Sequence, residues 1–142
     1  MSLFVPDASV LLKWVLPGER ELHLDKALNV RESFLHGRID LLVPDLWIYE
    51  VGNILGRHFP EDAQARLEAL IRFGIPQTGN TDVSWKTALC LVAKHKVSFY
   101  DASYHALAVL NKGIFLTADE AYVRKVGTDS GVQSLSQWQD IG

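Results

Sequence analysis

Apolar positions along the chain fall into two rhythms. Short unbroken apolar runs, Leu3-Phe4-Val5, Leu41-Leu42-Val43 and Ile114-Phe115-Leu116-Thr117, predict buried strands. Between them, apolar residues recur at helical spacing. Ser9 to Leu16 predicts a short helix broken at Pro17-Gly18. Glu21 to Leu35 predicts a longer one, with Leu24, Leu28 and Leu35 recurring at helical spacing and His36-Gly37 as its stop. Asp45 has the look of an N-cap for a helix reaching His58. Pro60-Glu61-Asp62 opens the next, which carries Ala63, Leu67, Leu70 and Ile71. Further helices are expected over Asp82–His95, with Val83, Leu89, Val92 and Ala93 as core, over Asp101–Asn111, and over Asp119–Val126. Ile75 begins a possible short strand and Val132–Leu135 an edge strand. Strands alternating with helices imply a mainly parallel sheet of four or five strands covered on both faces, an α/β/α sandwich of three layers.

Length and composition narrow the class. The 142 residues suit one domain spanning 1–142, large enough to bury a core without crosslinks. The single cysteine, Cys90, excludes an internal disulfide. Its apolar neighbours suggest a small buried hydrophobe, and the pattern suits a reducing, cytoplasmic compartment. No targeting segment and no membrane span is expected: the apolar N-terminal stretch is cut short at Asp7, and no run nears the ~20 residues a bilayer requires. The net charge of −3 argues against a general nucleic-acid coat protein. It does not exclude a nuclease, because clustered carboxylates neutralised by divalent cations would account for it.

Ligand and catalytic sites of parallel α/β sheets form at the carboxyl ends of the strands. Asp7 follows the first strand, Asp119 the Ile114–Thr117 strand, and Asp101 the segment Val97-Ser98-Phe99. Each alone is readily a helix cap, and Asp45, Asp62 and Asp82 are given that reading. Glu50 is different. It lies mid-helix, beside the stripe Trp47, Val51, Ile54, Leu55, on a second stripe with Leu46, Asn53 and Arg57. A carboxylate there is costly unless it is paired, with Arg57 for instance, or bound to a cation. Four carboxylates brought together would repel, and hard divalent cations such as Mg²⁺ or Mn²⁺ relieve that repulsion. Such a site suits phosphodiester hydrolysis. A phospho-acceptor receiver domain fits less well, since it needs a Lys after a late strand where this chain has Asp119.

Four segments carry a resemblance: Val5-Pro6-Asp7-Ala8-Ser9-Val10, the helix with Glu50 and Asn53, Phe99-Tyr100-Asp101-Ala102-Ser103-Tyr104-His105-Ala106-Leu107-Ala108, and Phe115-Leu116-Thr117-Ala118-Asp119-Glu120. In this order, over nearly the whole chain, they resemble PIN-domain ribonucleases, most closely the VapC-type toxins of toxin–antitoxin pairs. The resemblance implies a metal-dependent endoribonuclease. Asp7, Glu50, Asp101 and Asp119 would hold Mg²⁺ or Mn²⁺, the alternative for Asp119 being a helix cap. Ser9, Asn53 and Thr117 would support the site. It also implies an RNA substrate, a homodimer, and an antitoxin seated in a groove to which the helices between Glu21 and Phe73 would contribute, unless Leu67, Leu70 and Ile71 are ordinary core. The alternative is a non-catalytic module of the same fold that binds RNA or protein. His105 is taken as a packing residue, the tryptophans Trp14, Trp47, Trp85 and Trp138 as core, and Lys13, Arg20, Lys94 and Lys96 as solvated cations that would at most steer RNA.

Overall fold

The structure, a computed structural model, describes residues 1–142 except 17, 19, 20 and 128–130. The break expected at Pro17 and the cation Arg20 therefore lie outside the described residues. In chain order the elements are β1 (Leu3–Pro6), α1 (Ala8–Leu12), α2 (Leu24–Leu35), β2 (Asp40–Leu41), β3 (Val43–Pro44), α3 (Trp47–His58) and α4 (Ala63–Arg72). Then follow β4 (Gln77–Thr78), α5 (Asp82–His95), α6 (Phe99–Leu110), β5 (Ile114–Thr117), α7 (Glu120–Val126) and β6 (Val132–Ser134).

Four strands form one parallel sheet in the order β2-β1-β5-β6. The crossovers pass through helices, as parallel pairing requires. The result is the three-layer α/β/α sandwich. β1 and β5 are central and almost wholly buried, which explains their unbroken apolar runs. Their register pairs Phe4 with Ile114, Val5 with Phe115 and Pro6 with Leu116. Pro6 has no N–H to give, but the ladder goes on through the Asp7 N–H, which donates to Leu116 O at 3.2 Å.

The run expected as one strand over Leu41–Val43 serves two sheets. Adjacent N–H groups of an extended chain point to opposite sides. The Leu42 N–H donates to Phe4 O in the main sheet, and the Val43 N–H donates to Pro76 O on the other side. β3 therefore pairs in parallel with β4, which lies two residues beyond the Ile75 start expected from the sequence.

Several boundaries differ for identifiable reasons. The first helix ends at Leu12 rather than Leu16 and continues as single turns. α2 begins at Leu24, not Glu21, because His23 takes the left-handed conformation (φ 58°), which a right-handed helix cannot include. Asp45 does not cap α3. Its N–H is committed to Thr78 O in the β4 ladder, and the helix starts after Leu46 with no side-chain cap. Asp62 stands at the start of α4 but pairs with Arg66 at 3.5 Å instead of capping. Thr81, not Asp82, caps α5, in a reciprocal box with Ser84. Asp101 does not follow a strand: α5 and α6 form a helical hairpin, and Ser98 caps α6.

The core expected on α5 is the largest correction. Val83 (59% exposed), Leu89 (49%) and Cys90 face outward, Ala93 is exposed, and Val92 is only partly buried. α5 packs chiefly on α6, so one narrow stripe around Ala88 is covered while apolar residues occupy several faces. Of the tryptophans, Trp14, Trp47 and Trp138 are core. Each satisfies its indole N–H: Trp14 on Ala27 O at 2.9 Å, Trp47 on Gln77 Oε1 at 2.8 Å and Trp138 on Asn29 Oδ1 at 2.9 Å. Trp85 is instead 37% exposed. On α4, Leu70 is core, Leu67 partly buried and Ile71 half exposed.

Gly113 is required by a close approach at the start of β5. A Cβ there would lie 2.8 Å from Leu3 O and 3.1 Å from Leu3 Cγ, both in the neighbouring central strand. Gly113→Ala is expected to cost about 1–3 kcal/mol as an overpacked core change does. Gly56→Ala, on α3 with open space around it, should instead stabilise by about 0.5–1 kcal/mol. Thermal melts of the two variants in parallel test the contrast.

Candidate active site

Asp7 occupies the turn from β1 into α1 and caps that helix. Its Oδ1 accepts from the Ser9 N–H at 3.0 Å, the Val10 N–H at 3.3 Å and the Ser9 hydroxyl at 2.5 Å. Its Oδ2 accepts from the Thr117 hydroxyl at 2.6 Å. Both hydroxyls also accept: Ser9 Oγ from the Ala118 N–H and Thr117 Oγ1 from the Asp119 N–H, each at 3.0 Å. Ser9 and Thr117 thus tie the end of β1 to the end of β5. Thr117 is fully buried between the central strands and the site.

Asp119 caps α7, its Oδ1 accepting from the Ala121 N–H at 3.0 Å and the Tyr122 N–H at 3.2 Å, and it is exposed. Asp101 sits in the first turn of α6, with its own N–H on the Ser98 hydroxyl at 3.0 Å. Glu50 reaches in from α3, half-buried, and forms no ion pair with Arg57 or any other cation among the described residues.

These four acids act on one another electrostatically. Burial is the main cause that raises Asp7 to a pKa of about 6, and the charge of Asp101 adds to it against the hydrogen bonds from Ser9 and Thr117. Burial likewise pushes Glu50 up, with Asp101 again contributing. Asp101 is raised by burial and by Asp119, and lowered by its bond to Ser98 and by Lys125. Asp101 is therefore the hub through which Asp7, Glu50 and Asp119 couple. No three of the His, Cys, Asp and Glu side chains among the described residues close to metal-ligating distance. The donor set nonetheless fits a hard divalent cation: its ligating atoms are carboxylate oxygens, they repel one another, and the cation that tempers the hub is a single exposed lysine.

The remaining expected residues separate. Asn53 is exposed one turn beyond Glu50 and joins no hydrogen bond among the described residues. His105 is buried, as a packing residue should be. Its Nδ1 lies 2.7 Å from Tyr122 Oη, and its ring stacks on Phe115 at 5.8 Å. Lys13 pairs with Glu21 at 3.5 Å, whereas Lys94 and Lys96 are exposed. Sequence reasoning gave no role to Ser98, Tyr104 or Lys125, which all act on the acids. Tyr104 had a signal: it stands three residues after Asp101, on the same side of a helix. Lys125 had none, because it comes near Asp101 only through the packing of α7.

The site lies at the carboxyl ends of β1 and β5, with one acid from each flanking segment. A family model described as PIN domain matches residues 4–127, so the chain belongs to the PIN-domain family. Within it the chain is of the VapC type. It is 32% identical over 129 residues to a protein of Pyrobaculum aerophilum named Ribonuclease VapC3, a match covering 85% of this chain and 92% of that one. Solved structures share the fold. PAE2754 from Pyrobaculum aerophilum matches with a TM-score of 0.65 at 23% identity, over 95% of this chain and 85% of that one. Mycobacterium tuberculosis VapC20, described as a sarcin-ricin loop cleaving toxin, matches with a TM-score of 0.65 at 15% identity, over 99% and 98%.

Proposed function

We propose that this chain is an Mg²⁺- or Mn²⁺-dependent endoribonuclease and the toxin of a toxin–antitoxin pair, with Asp7, Glu50, Asp101 and Asp119 as its cation-holding residues. The observation that carries this is the coupling of four carboxylates through Asp101 at the end of a parallel sheet, with one of them, Asp7, almost fully buried. An acid set of this kind is unfavourable without a counter-charge. The ribonuclease name of the 32% relative supports RNA as the substrate class.

Asp7 is held rigid by Ser9, Thr117 and the first N–H groups of α1, so its orientation does not depend on the cation. Its Oδ2 accepts one protein hydrogen bond and keeps a lone pair for a ligand. Asp119 is held in the same way by the first N–H groups of α7, and it is exposed. Lys125 supplies positive charge beside Asp101 where an RNA phosphate would arrive. When bound, the cation supplies Lewis-acid polarisation of the phosphodiester and a nucleophile at neutral pH.

The same reading includes a cytoplasmic homodimer silenced by an antitoxin. No helix among the described residues is long and apolar enough to cross a membrane. Outward-facing Val83 and Leu89 on α5 and Val109 and Leu110 on α6 supply apolar surface for a partner. The deciding experiment is RNA cleavage by the purified chain in Mg²⁺, in Mn²⁺ and in excess EDTA. Cleavage should require the metal and return when it is restored; undiminished cleavage in EDTA would sink the proposal.

A further inference from the structure

Tyr104 is the most buried large side chain near the acids. It is 0% exposed, its ring stacks on Phe115 at 6.1 Å with 14° between the planes, and its hydroxyl oxygen is sealed from solvent. That hydroxyl makes no hydrogen bond of normal geometry among the described residues, although it faces the Glu50 carboxylate. A buried hydroxyl without a partner lowers stability, and Phe in its place would fill the same space at no such cost. Packing therefore does not account for the oxygen.

The four acids differ in how they are held. Asp7 and Asp119 are fixed by backbone N–H groups at helix starts, and Asp101 sits in the first turn of α6. Glu50 is a longer side chain that stands in the first turn of α3, not mid-helix as the sequence suggested, and its carboxylate has no cation and no backbone donor among the described residues. The group that faces it is the Tyr104 hydroxyl. We propose that Tyr104 is a positioning residue: its hydroxyl donates to Glu50 and orients that carboxylate toward the cation site formed with Asp7 and Asp101. This rests on the acid quartet binding a divalent cation. A phenol keeps its proton at neutral pH, and a carboxylate can only accept, so the hydroxyl is the donor of this pair. An aromatic ring clamped against Phe115 gives that donor a fixed direction, which supports a ligating carboxylate as outer partners do.

The test is Mn²⁺ binding to the purified full chain, by calorimetry or by the EPR signal of free Mn²⁺, with no RNA present. It compares the parent, Tyr104→Phe, Glu50→Ala and the double variant, each also melted without metal. Tyr104→Phe should melt at or above the parent and lose about 10–100-fold in Mn²⁺ affinity. In the Glu50→Ala background the same change should cost no more than about twofold, because the carboxylate it acts on is gone. Parental affinity in Tyr104→Phe overturns the proposal. So does a loss of equal size with and without Glu50, which would mark a general structural effect; this comparison stays valid even if Tyr104→Phe melts lower. A parent chain that fails to bind Mn²⁺ overturns the quartet itself, an outcome distinct from the other two.

Discussion

Asp7→Asn is expected to abolish RNA cleavage while leaving the metal-free protein more stable than its parent at neutral pH. Asn keeps the size of Asp and a carbonyl oxygen that can still accept from the Ser9 and Val10 N–H groups, so α1 retains its cap. What disappears is an anionic oxygen and the charge that attracts the cation. Cation catalysis is worth several kcal/mol of barrier, so the loss should reach about 10³-fold or more. The stability gain follows from burial. Asp7 titrates near pH 6 in the folded chain against an ordinary 3.8, so the folded state holds a proton that the unfolded state has released between those values. Stability contributed through this group is full below about pH 4, falls as pH rises through about 6, and stays low above it. Asn has no such loss, so the two proteins should differ little at pH 4 and by about 2–3 kcal/mol at pH 7. Glu50 and Asp101 are shifted in the same direction and add to the fall in both proteins. The measurements are cleavage under metal titration and melts in EDTA at both pH values. A variant that cleaves at the parental rate would remove Asp7 from the site. A parent as stable as the variant at pH 7 would show that its burial is not penalised.

Phe115→Ala should act first on the fold. Phe115 lies in the central strand β5, fully buried, stacked on Tyr104 and His105 and edge-on to Tyr122 at 5.2 Å. Removing the ring opens a cavity under α6 and α7 that rigid strands on either side cannot collapse into. Changes of this kind cost about 3–5 kcal/mol. Against a typical total of about 5–15 kcal/mol this is a large fraction, and the melting temperature should drop by about 10–20 °C. Differential scanning calorimetry reads it directly, and a drop of only a degree or two would mean that the aromatic cluster is not the centre of the core. His105 and Tyr122 share a 2.7 Å hydrogen bond beside this ring, so their alignment should loosen in the same variant.

The contrast between these two variants follows the division between what was legible in the sequence and what was not. Unbroken apolar runs identified β1 and β5 as strands, because a strand buried on both faces has no polar side to show, while their central place came only with the pairing order. Asp7 and Asp119 were legible for a related reason: each directly follows such a run, where a parallel sheet hands its chain to a helix. α5 was legible in extent but not in orientation. Its apolar residues occupy several faces, and periodicity cannot say which face will meet α6.

By itself, the sequence determined the alternation of strands and helices, the parallel sheet, and the oddity of Glu50, since a carboxylate amid an apolar helix is visible without coordinates. Tertiary structure decided that Asp101 couples to Glu50, Asp7 and Asp119, that Lys125 comes to temper it, and that the Tyr104 hydroxyl is buried near Glu50. It also decided that the Leu41–Val43 run feeds two sheets. The physical reason is range. Strand and helix preferences are set by neighbours a few residues apart. Electrostatic coupling and hydrogen bonds between side chains depend on distance in space, and these acids are separated by up to 112 positions of chain.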